Sequence, residues 1–281
     1  MFRGGATNAS KRAVRANHRG ITVMKVKNKT VLVTGALMLA STPAWAQSGS
    51  EAASAAASEL KGFAAPALQA PVAFGARWGT FGVGGYGQTC DCNDQDADGS
   101  LGVAFGLGDP DKYAALEVAV ASSSLFGDTG SGDSFGESGS VGLKLHTNLP
   151  GFASFAVGVN GTGRWGSDAF KNANKSSVYA VATKMLPVGQ FATILNIGIG
   201  DELYNEPNKS GANVFGSAAF YFTQQISVLA EYTGRFTNAA VSVAPFRSFP
   251  LTVTLGATNL GERYGGNVEF AGSVGVGFAF N

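Results

Sequence analysis

The densest group of potential cation ligands in this sequence is an acidic stretch in its first half. Asp94, Asp96, Asp98 and Gly99 match the opening D-x-D-x-D-G of a calcium loop, in which alternate carboxylates converge on one hard cation. The twelfth position of such a loop requires a bidentate Glu, and in this sequence it is Phe105. Two alternatives therefore remain, an acidic solvated turn or a weak calcium site, and no other cofactor is expected.

Cys90 and Cys92 are the two cysteines of the chain and lie beside this acidic stretch. A structural zinc ion takes four ligands, so two thiols make a poor zinc site. In an oxidising compartment the pair can form a small local disulfide, and free thiols are the alternative.

Nucleophilic catalysis would need a histidine beside a serine, cysteine or carboxylate. Beyond the first 46 residues the chain has one histidine, His146, and no nucleophile elbow accompanies it. We therefore expect no enzymatic activity. Residues 47–281 carry 12 Lys and Arg against 19 Asp and Glu, and no basic stripe is present, so nucleic acid is not an expected partner.

Other charged and polar residues recur within segments that alternate between apolar and small residues. Such alternation is the period of a β-strand with two different faces. In the last segment Phe270, Val274 and Phe278 alternate with Ala271, Ser273 and Gly275. The small face would carry the following candidate lumen-lining residues: Glu117, Lys144, Asn160, Arg164, Lys184, Glu231, Arg235 and Glu269.

Extending this pattern along the chain predicts an all-β fold of about twelve strands, with ten to fourteen tolerated. The predicted ranges are 73–88, 100–108, 113–126, 137–148, 152–164, 176–186, 191–202, 212–222, 226–236, 239–247, 251–259 and 267–280. The connections alternate between short and long, except near Thr237, and the long ones are rich in Gly, Asp, Asn and Ser.

Short connections at one end and long ones at the other are typical of a closed antiparallel transmembrane β-barrel. Closure is needed because an open edge would leave backbone polar groups unpaired in hydrocarbon. A soluble β-sandwich also alternates, but its outer face should be rich in Lys, Glu and Thr. The second face in this chain is mostly Gly, Ala and Ser, which favours the barrel.

The first 72 residues carry the features of export rather than of a fold. Lys25, Lys27 and Lys29 precede a short apolar run, and Ala44-Trp45-Ala46 is a small-x-small cleavage site. We therefore predict an upstream extension (1–23), a signal peptide (24–46), an Ala/Ser-rich periplasmic lead-in (47–72) and a barrel (73–281). The predicted location is the cell outer membrane.

The chain ends in Val276-Gly277-Phe278-Ala279-Phe280-Asn281, which resembles the aromatic carboxyl-terminal signal of Gram-negative-type outer-membrane β-barrel proteins. The resemblance implies that Phe278 and Phe280 are recognised by the barrel assembly machinery. The stretch from Gly106 to Tyr113 is also similar to poorly characterised barrel proteins of cyanobacterial type. These likenesses imply a porin-like protein in contact with outer-membrane lipid.

Composition bears on the width of the lumen. The sequence has 40 Gly and only 14% charged residues, and the predicted inward face has few long side chains. A twelve-strand barrel is also wider than the eight-strand kind that side chains can fill. We therefore expect a monomeric porin-like channel for passive diffusion of small hydrophilic solutes or ions. A non-conducting structural or adhesion barrel, an export component for envelope polysaccharide or lipid, and plugging by residues 47–72 are the open alternatives.

Overall fold

The computed structural model describes residues 62–89, 97–125 and 135–280 of the chain. These residues form one closed antiparallel barrel of twelve strands, which confirms the predicted fold class. The strands are β1 Thr80–Gln88, β2 Asp98–Gly108, β3 Ala115–Ser122, β4 Gly139–Leu149, β5 Ala153–Asn160, β6 Ser177–Val188, β7 Phe191–Gly200, β8 Asn213–Thr223, β9 Ile226–Tyr232, β10 Thr237–Val243, β11 Leu251–Thr258 and β12 Glu269–Ala279.

Each strand pairs with its neighbours in sequence, and β1 closes the barrel by pairing with β12. That seam is paired continuously from Thr80 and Ala279 to Gln88 and Ala271. On the outer face of this seam, the rings of the cross-strand partners Phe81 and Phe278 stack with their centroids 4.7 Å apart. Every strand therefore has a partner on both edges, as a barrel without free edges requires.

The alternation of apolar with small or polar residues in the sequence corresponds to the outer and inner faces of the barrel. On β7, Ile197 is 69% exposed on the outer face, whereas its neighbour Asn196 is 5% exposed on the inner face. The outer face repeats this pattern on other strands with exposed apolar residues such as Val103, Leu255 and Phe270. The barrel is thus apolar on its outer face, whereas its inner face is mostly small or polar and carries two apolar clusters. A soluble β-protein would instead expose a polar outer face.

The connections differ at the two ends. The short-turn end has two tight turns in which Gly151 and Gly189 adopt a positive φ that other residues rarely take. The long-loop end includes helix α1 (Asp168–Ala173) and short 3₁₀ turns at Glu202–Tyr204 and Arg263–Gly265. Among the described residues, no helix has the length and apolar character needed to cross a membrane.

Most predicted strand boundaries lie within three residues of the observed ones, and several differ by four or more. Three of the larger differences have a clear structural reason. β1 begins at Thr80 rather than residue 73, because residues 73–76 bond to side chains inside the barrel. The turn between β9 and β10 is at residues 233–236, where Thr233 N donates to the Phe236 carbonyl. β5 ends at Asn160, so Arg164 lies in the following connection and not on a strand.

Candidate functional site: the occupied lumen

The lumen of the barrel contains a piece of the same chain, residues 63–76, which we call the lumen segment. The segment enters beside the β8–β9 turn, where Ala64 N donates to the Gln224 carbonyl at 3.0 Å. It turns at residues 68–70 near Glu231 and returns to the same short-turn end at Arg77. The sequence predicts a fold that begins at Ala73, whereas the structure includes residues 63–72 in the interior. Their alanines are buried because the wall surrounds them on every side.

The turn of the lumen segment is bound by one carboxylate. Glu231 of β9 accepts hydrogen bonds from the amides of Leu68, Gln69 and Ala70 at 2.9, 3.0 and 2.8 Å. Asn238 of β10 donates to the other oxygen of the same carboxylate at 2.9 Å. Charge-assisted hydrogen bonds of this kind are about twice as strong as neutral ones, and a buried charge needs them. Glu231 is therefore the main polar anchor of the turn.

The side chain of Gln69 joins the turn to a further strand of the wall, β1. Its amide nitrogen donates to Tyr86 Oη and Gln88 Oε1 on β1, and its oxygen accepts from Asn238 at 2.8 Å. Gln88 in turn donates to Glu269 of β12. The turn is thus bonded to β1 as well as to β9 and β10.

The returning leg passes a buried ion pair. Glu117 of β3 and Lys144 of β4 are cross-strand neighbours, and Lys144 Nζ lies 3.0 Å from Glu117 Oε1. Glu117 also accepts from Ala76 N at 2.6 Å, and Lys144 donates to the Phe74 carbonyl at 2.6 Å. The pair therefore neutralises itself and holds the segment at the same time.

His146 lies beside this pair and is 1% exposed as part of the inner wall. Its Nε2 is 3.0 Å from the Ala76 carbonyl, which can only accept, so Nε2 carries the proton. The other ring nitrogen, Nδ1, is buried and has no hydrogen-bond partner. His146 thus binds the main chain of the lumen segment.

Apolar packing adds to these polar contacts. One cluster packs Ala67, Ala70 and Val72 of the segment against Tyr179, Phe215 and other wall residues. A second packs Ala64 and Leu68 against wall residues that include Ile194, Tyr221 and Leu229. The interior is therefore filled with side chains and main chain in the manner of a protein core.

Glycines on the inner face make room for this filling. A Cβ at Gly106 of β2 would lie 2.1 Å from the main-chain carbon of Ala76. At Gly158 and Gly198 an added Cβ would meet the rings of Tyr179 and Phe215, their cross-strand partners. The expectation that small inward residues leave an open lumen is therefore wrong for these positions, because aromatic rings and the lumen segment use the space.

The structure brings together four of the eight predicted lining residues inside the barrel or at its rim. Glu117, Lys144 and Glu231 contact the lumen segment, and Glu269 reaches it through Gln88. Asn160 is half-buried at the long-loop end of β5, where it pairs with Ser177.

The other three predicted lining residues lie elsewhere. Lys184 shares the outer face with Leu195, its cross-strand partner. The reason is that Val181 and Thr183 of β6 face inward, and alternate residues of a strand face opposite sides. The long stem of Lys184 carries Nζ to the Gly151 carbonyl in a short turn. Arg164 and Arg235 bond to loop carbonyls at the long-loop end, including those of Asn174 and Glu202.

The acidic stretch is only partly described. Asp98 begins β2, and its Oδ1 accepts from the amides of Gly99 and Leu125 at 2.7 and 3.0 Å. This places Asp98 as an anchor between two connections. Asp94, Asp96, Cys90 and Cys92 lie outside the described residues, so the calcium and disulfide alternatives stay predictions. Within the described ranges no cluster of three His, Cys, Asp or Glu could hold a metal ion.

An ion pair fixes the point where the lumen segment leaves the barrel. Arg77 donates to Asp111 in the β2–β3 turn, and Asn148 Nδ2 donates to the same carboxylate at 2.7 Å. The hydrogen bond from Asn148 and the nearby Arg77 charge lower the pKa of Asp111 below its ordinary value. The side chains of Arg77 and Asp111 are 39% and 56% exposed, so this latch is weaker than the buried contacts.

The predicted assembly signal lies at the closing seam. Phe278 and Phe280 are exposed on the outer face, and Phe280 N donates to the Gly79 carbonyl at 2.7 Å. No protein-family model and no curated protein matches this chain.

Proposed function

We propose that this protein is an outer-membrane β-barrel that acts as a porin-like channel and is held closed by its own lumen segment. The observation that carries the proposal is a twelve-strand lumen occupied by residues 63–76. A membrane anchor needs no more than eight strands, whose lumen side chains fill. The four additional strands create the space that the segment occupies, which favours a pathway that can be closed over a simple anchor.

The membrane location is supported by the outer face. Apolar side chains are exposed along the strands, and aromatic ones gather near the short-turn end, including Trp78, Tyr113, Phe152, Phe222, Phe246 and Phe249. Membrane barrels have such an apolar band, with aromatic residues at the lipid–water interface. The predicted signal peptide and the carboxyl-terminal aromatic residues agree with this location.

The way in which the lumen segment is held supports a reversible closure. Apart from the main-chain hydrogen bond of Ala64 at the β8–β9 turn, its contacts with the wall are apolar packing and hydrogen bonds that involve side chains. The wall strands pair with one another without it. The barrel's own hydrogen-bonded ladder would therefore survive departure of the segment. Glu117, Lys144 and Glu231, with the inward Ser, Thr and Asn side chains, would then face a water-filled path.

A non-conducting structural barrel is the second candidate. It is favoured by the apolar clusters inside the lumen, because Tyr179, Ile194, Phe215 and Leu229 would contact water if the segment left. Exposing such side chains costs roughly 1.5–3 kcal/mol each when they are fully buried. This cost predicts a strongly favoured closed state in either case.

Conductance in planar bilayers tests the proposal. We expect the wild-type protein to be closed most of the time, and Glu231→Gln to open more often because a neutral amide cannot replace the carboxylate at three main-chain amides. Glu262→Gln, in the loop between β11 and β12, is the control and should behave as wild type. If neither wild type nor Glu231→Gln forms reproducible channels, the barrel is non-conducting and the channel proposal fails.

A further inference from the structure

Most hydrogen bonds between the wall and the lumen segment are made to the main chain of the segment, and the others involve the side chain of Gln69. On the amide side, Ala65 N donates to Ser242 and Ala73 N to Thr183, both at 2.8 Å. Ala76 N donates to Glu117, and the three amides at the turn donate to Glu231. Wall side chains thus satisfy amides along the whole length of the segment.

The carbonyls of the segment are bound in the same way. Tyr221 donates to the Ala64 carbonyl at 2.8 Å, and Ser227 donates to that of Ala65 at 2.9 Å. Ser217 donates to the Pro66 carbonyl at 2.9 Å. These donors come from β8 and β9, whereas Lys144 and His146 of β4 bind the carbonyls of the returning leg.

The composition of the segment fits main-chain recognition. Residues 63–76 read FAAPALQAPVAFGA, in which Gln69 has the one polar side chain. Every other polar group that the segment offers belongs to its backbone. Small side chains let the backbone approach the wall, as Gly106 and Ala76 show.

We propose that the lumen is a binding site for a bent polypeptide segment whose side chains are apolar and mostly small, and that residues 63–76 are its tethered occupant. A peptide of the same chemistry, supplied from outside the chain, binds the same wall side chains when the tethered segment is weakened. This inference does not rest on conduction, because a peptide can occupy the lumen of a barrel that never conducts.

The tether sets the condition for detecting such a peptide. A covalently linked segment has an effective concentration of the order of millimolar. A free peptide therefore competes poorly with the wild-type lumen segment. Weakening the tethered copy while leaving the wall unchanged removes this advantage. Proline lacks the N–H group, so Leu68→Pro/Ala70→Pro takes two donors from Glu231 without altering any wall residue.

The test measures binding of a labelled synthetic peptide with the sequence of residues 62–77 to the full chain in detergent micelles, by fluorescence anisotropy. A second peptide carries N-methyl groups at the positions of Leu68, Gln69 and Ala70, which removes three donors and keeps every side chain. We expect Leu68→Pro/Ala70→Pro to bind the unmodified peptide at least about tenfold more tightly than it binds the methylated one. It should also bind the unmodified peptide about tenfold more tightly than the wild-type chain does.

Heat-modifiable gel mobility shows whether each barrel is folded. A folded variant that gives no saturable binding overturns the proposal, as does equal binding of the two peptides. If the double proline variant does not fold, Gln69→Ala is used in the full chain, since it removes the contacts of the Gln69 side chain alone. Failure of that variant to prefer the unmodified peptide overturns the proposal equally.

Discussion

A side chain at position 106 would occupy the space of the lumen segment's main chain. The Cβ of Gly106→Ala would lie within 2.2 Å of the Ala76 carbonyl and the Arg77 nitrogen, which are backbone atoms without freedom to rotate away. Because overpacking a filled interior costs about 1–3 kcal/mol, we expect Gly106→Ala to lower the unfolding midpoint in urea. Hydrogen exchange at residues 73–77 should accelerate, which mass spectrometry can measure.

Gly85→Ala is the matched control for this prediction. Gly85 lies on the adjacent strand β1, and an added Cβ would find its nearest neighbours at 3.6 and 3.7 Å, ordinary contact distances with Val274 and Leu101. Its unfolding midpoint and segment exchange should match those of wild type. Equal effects at both positions would mean that loss of a strand glycine, rather than contact with the segment, causes the change.

Within the pair of strands β3 and β4, the Glu117–Lys144 pair should show strong coupling. Removing one member of a buried pair leaves an unpaired charge and costs about 3–5 kcal/mol. We therefore expect Lys144→Met to be more destabilising than Glu117→Gln/Lys144→Met, in which neither charge remains and the Gln oxygen can still accept from Ala76 N. Urea unfolding of the two single variants and the double variant measures the coupling, and additive losses would contradict it.

In the β2–β3 turn, the exposed latch should respond to pH and salt. The pKa of Asp111 is lowered on folding, first by the hydrogen bond from Asn148 and then by Arg77. Its stabilising contribution is therefore present above the ordinary Asp pKa of about 3.9 and is lost as the pH falls through the lower folded value. We expect Asp111→Asn to cost less than about 1 kcal/mol at pH 7.

The same comparison below the folded pKa of Asp111 provides the check. There the wild-type carboxyl is neutral, so wild type and Asp111→Asn should have equal urea midpoints. High salt at pH 7 should also reduce the difference, because both side chains are exposed. A difference that is unchanged by acid and by salt would show that shape at this turn, rather than charge, stabilises it.

At the scale of the strand, the sequence predicts the strands well. It predicts less well which face of a strand a particular charged residue occupies. The two-residue alternation predicts all twelve strands because outward residues are mostly apolar and inward residues mostly small or polar. An inward Lys184 is expected only on the assumption that a charge avoids the apolar face. In the structure the Lys184 side chain leaves β6 on the outer face, and its flexible stem brings the amine to the short-turn end.

The lumen segment shows where sequence reasoning reaches its limit. Residues 63–72 have no strand or helix period, and their Ala-rich composition resembles that of a linker. Their burial comes from the wall that surrounds them, which a local pattern does not reveal. The signal in the sequence is indirect: a wide barrel needs a filling for its inward Tyr179, Ile194 and Phe215, and small residues fit closely against inward glycines.

On the scale of the whole molecule, the proposed membrane location predicts that the cost of a charge depends on where it lies along the barrel. Ile197 is 69% exposed on the outer face and pairs with Ala182 near the middle of β6. Val188 is 47% exposed at the end of β6, beside a short turn. In lipid a Lys at the midplane costs about 2–4 kcal/mol, and near the interface about 0–1 kcal/mol. We therefore expect Ile197→Lys to lower the free energy of unfolding of the barrel in lipid vesicles much more than Val188→Lys does. Urea titrations can measure this difference. In water both exposed positions would accept Lys at little cost, so equal and small effects would contradict the membrane location itself.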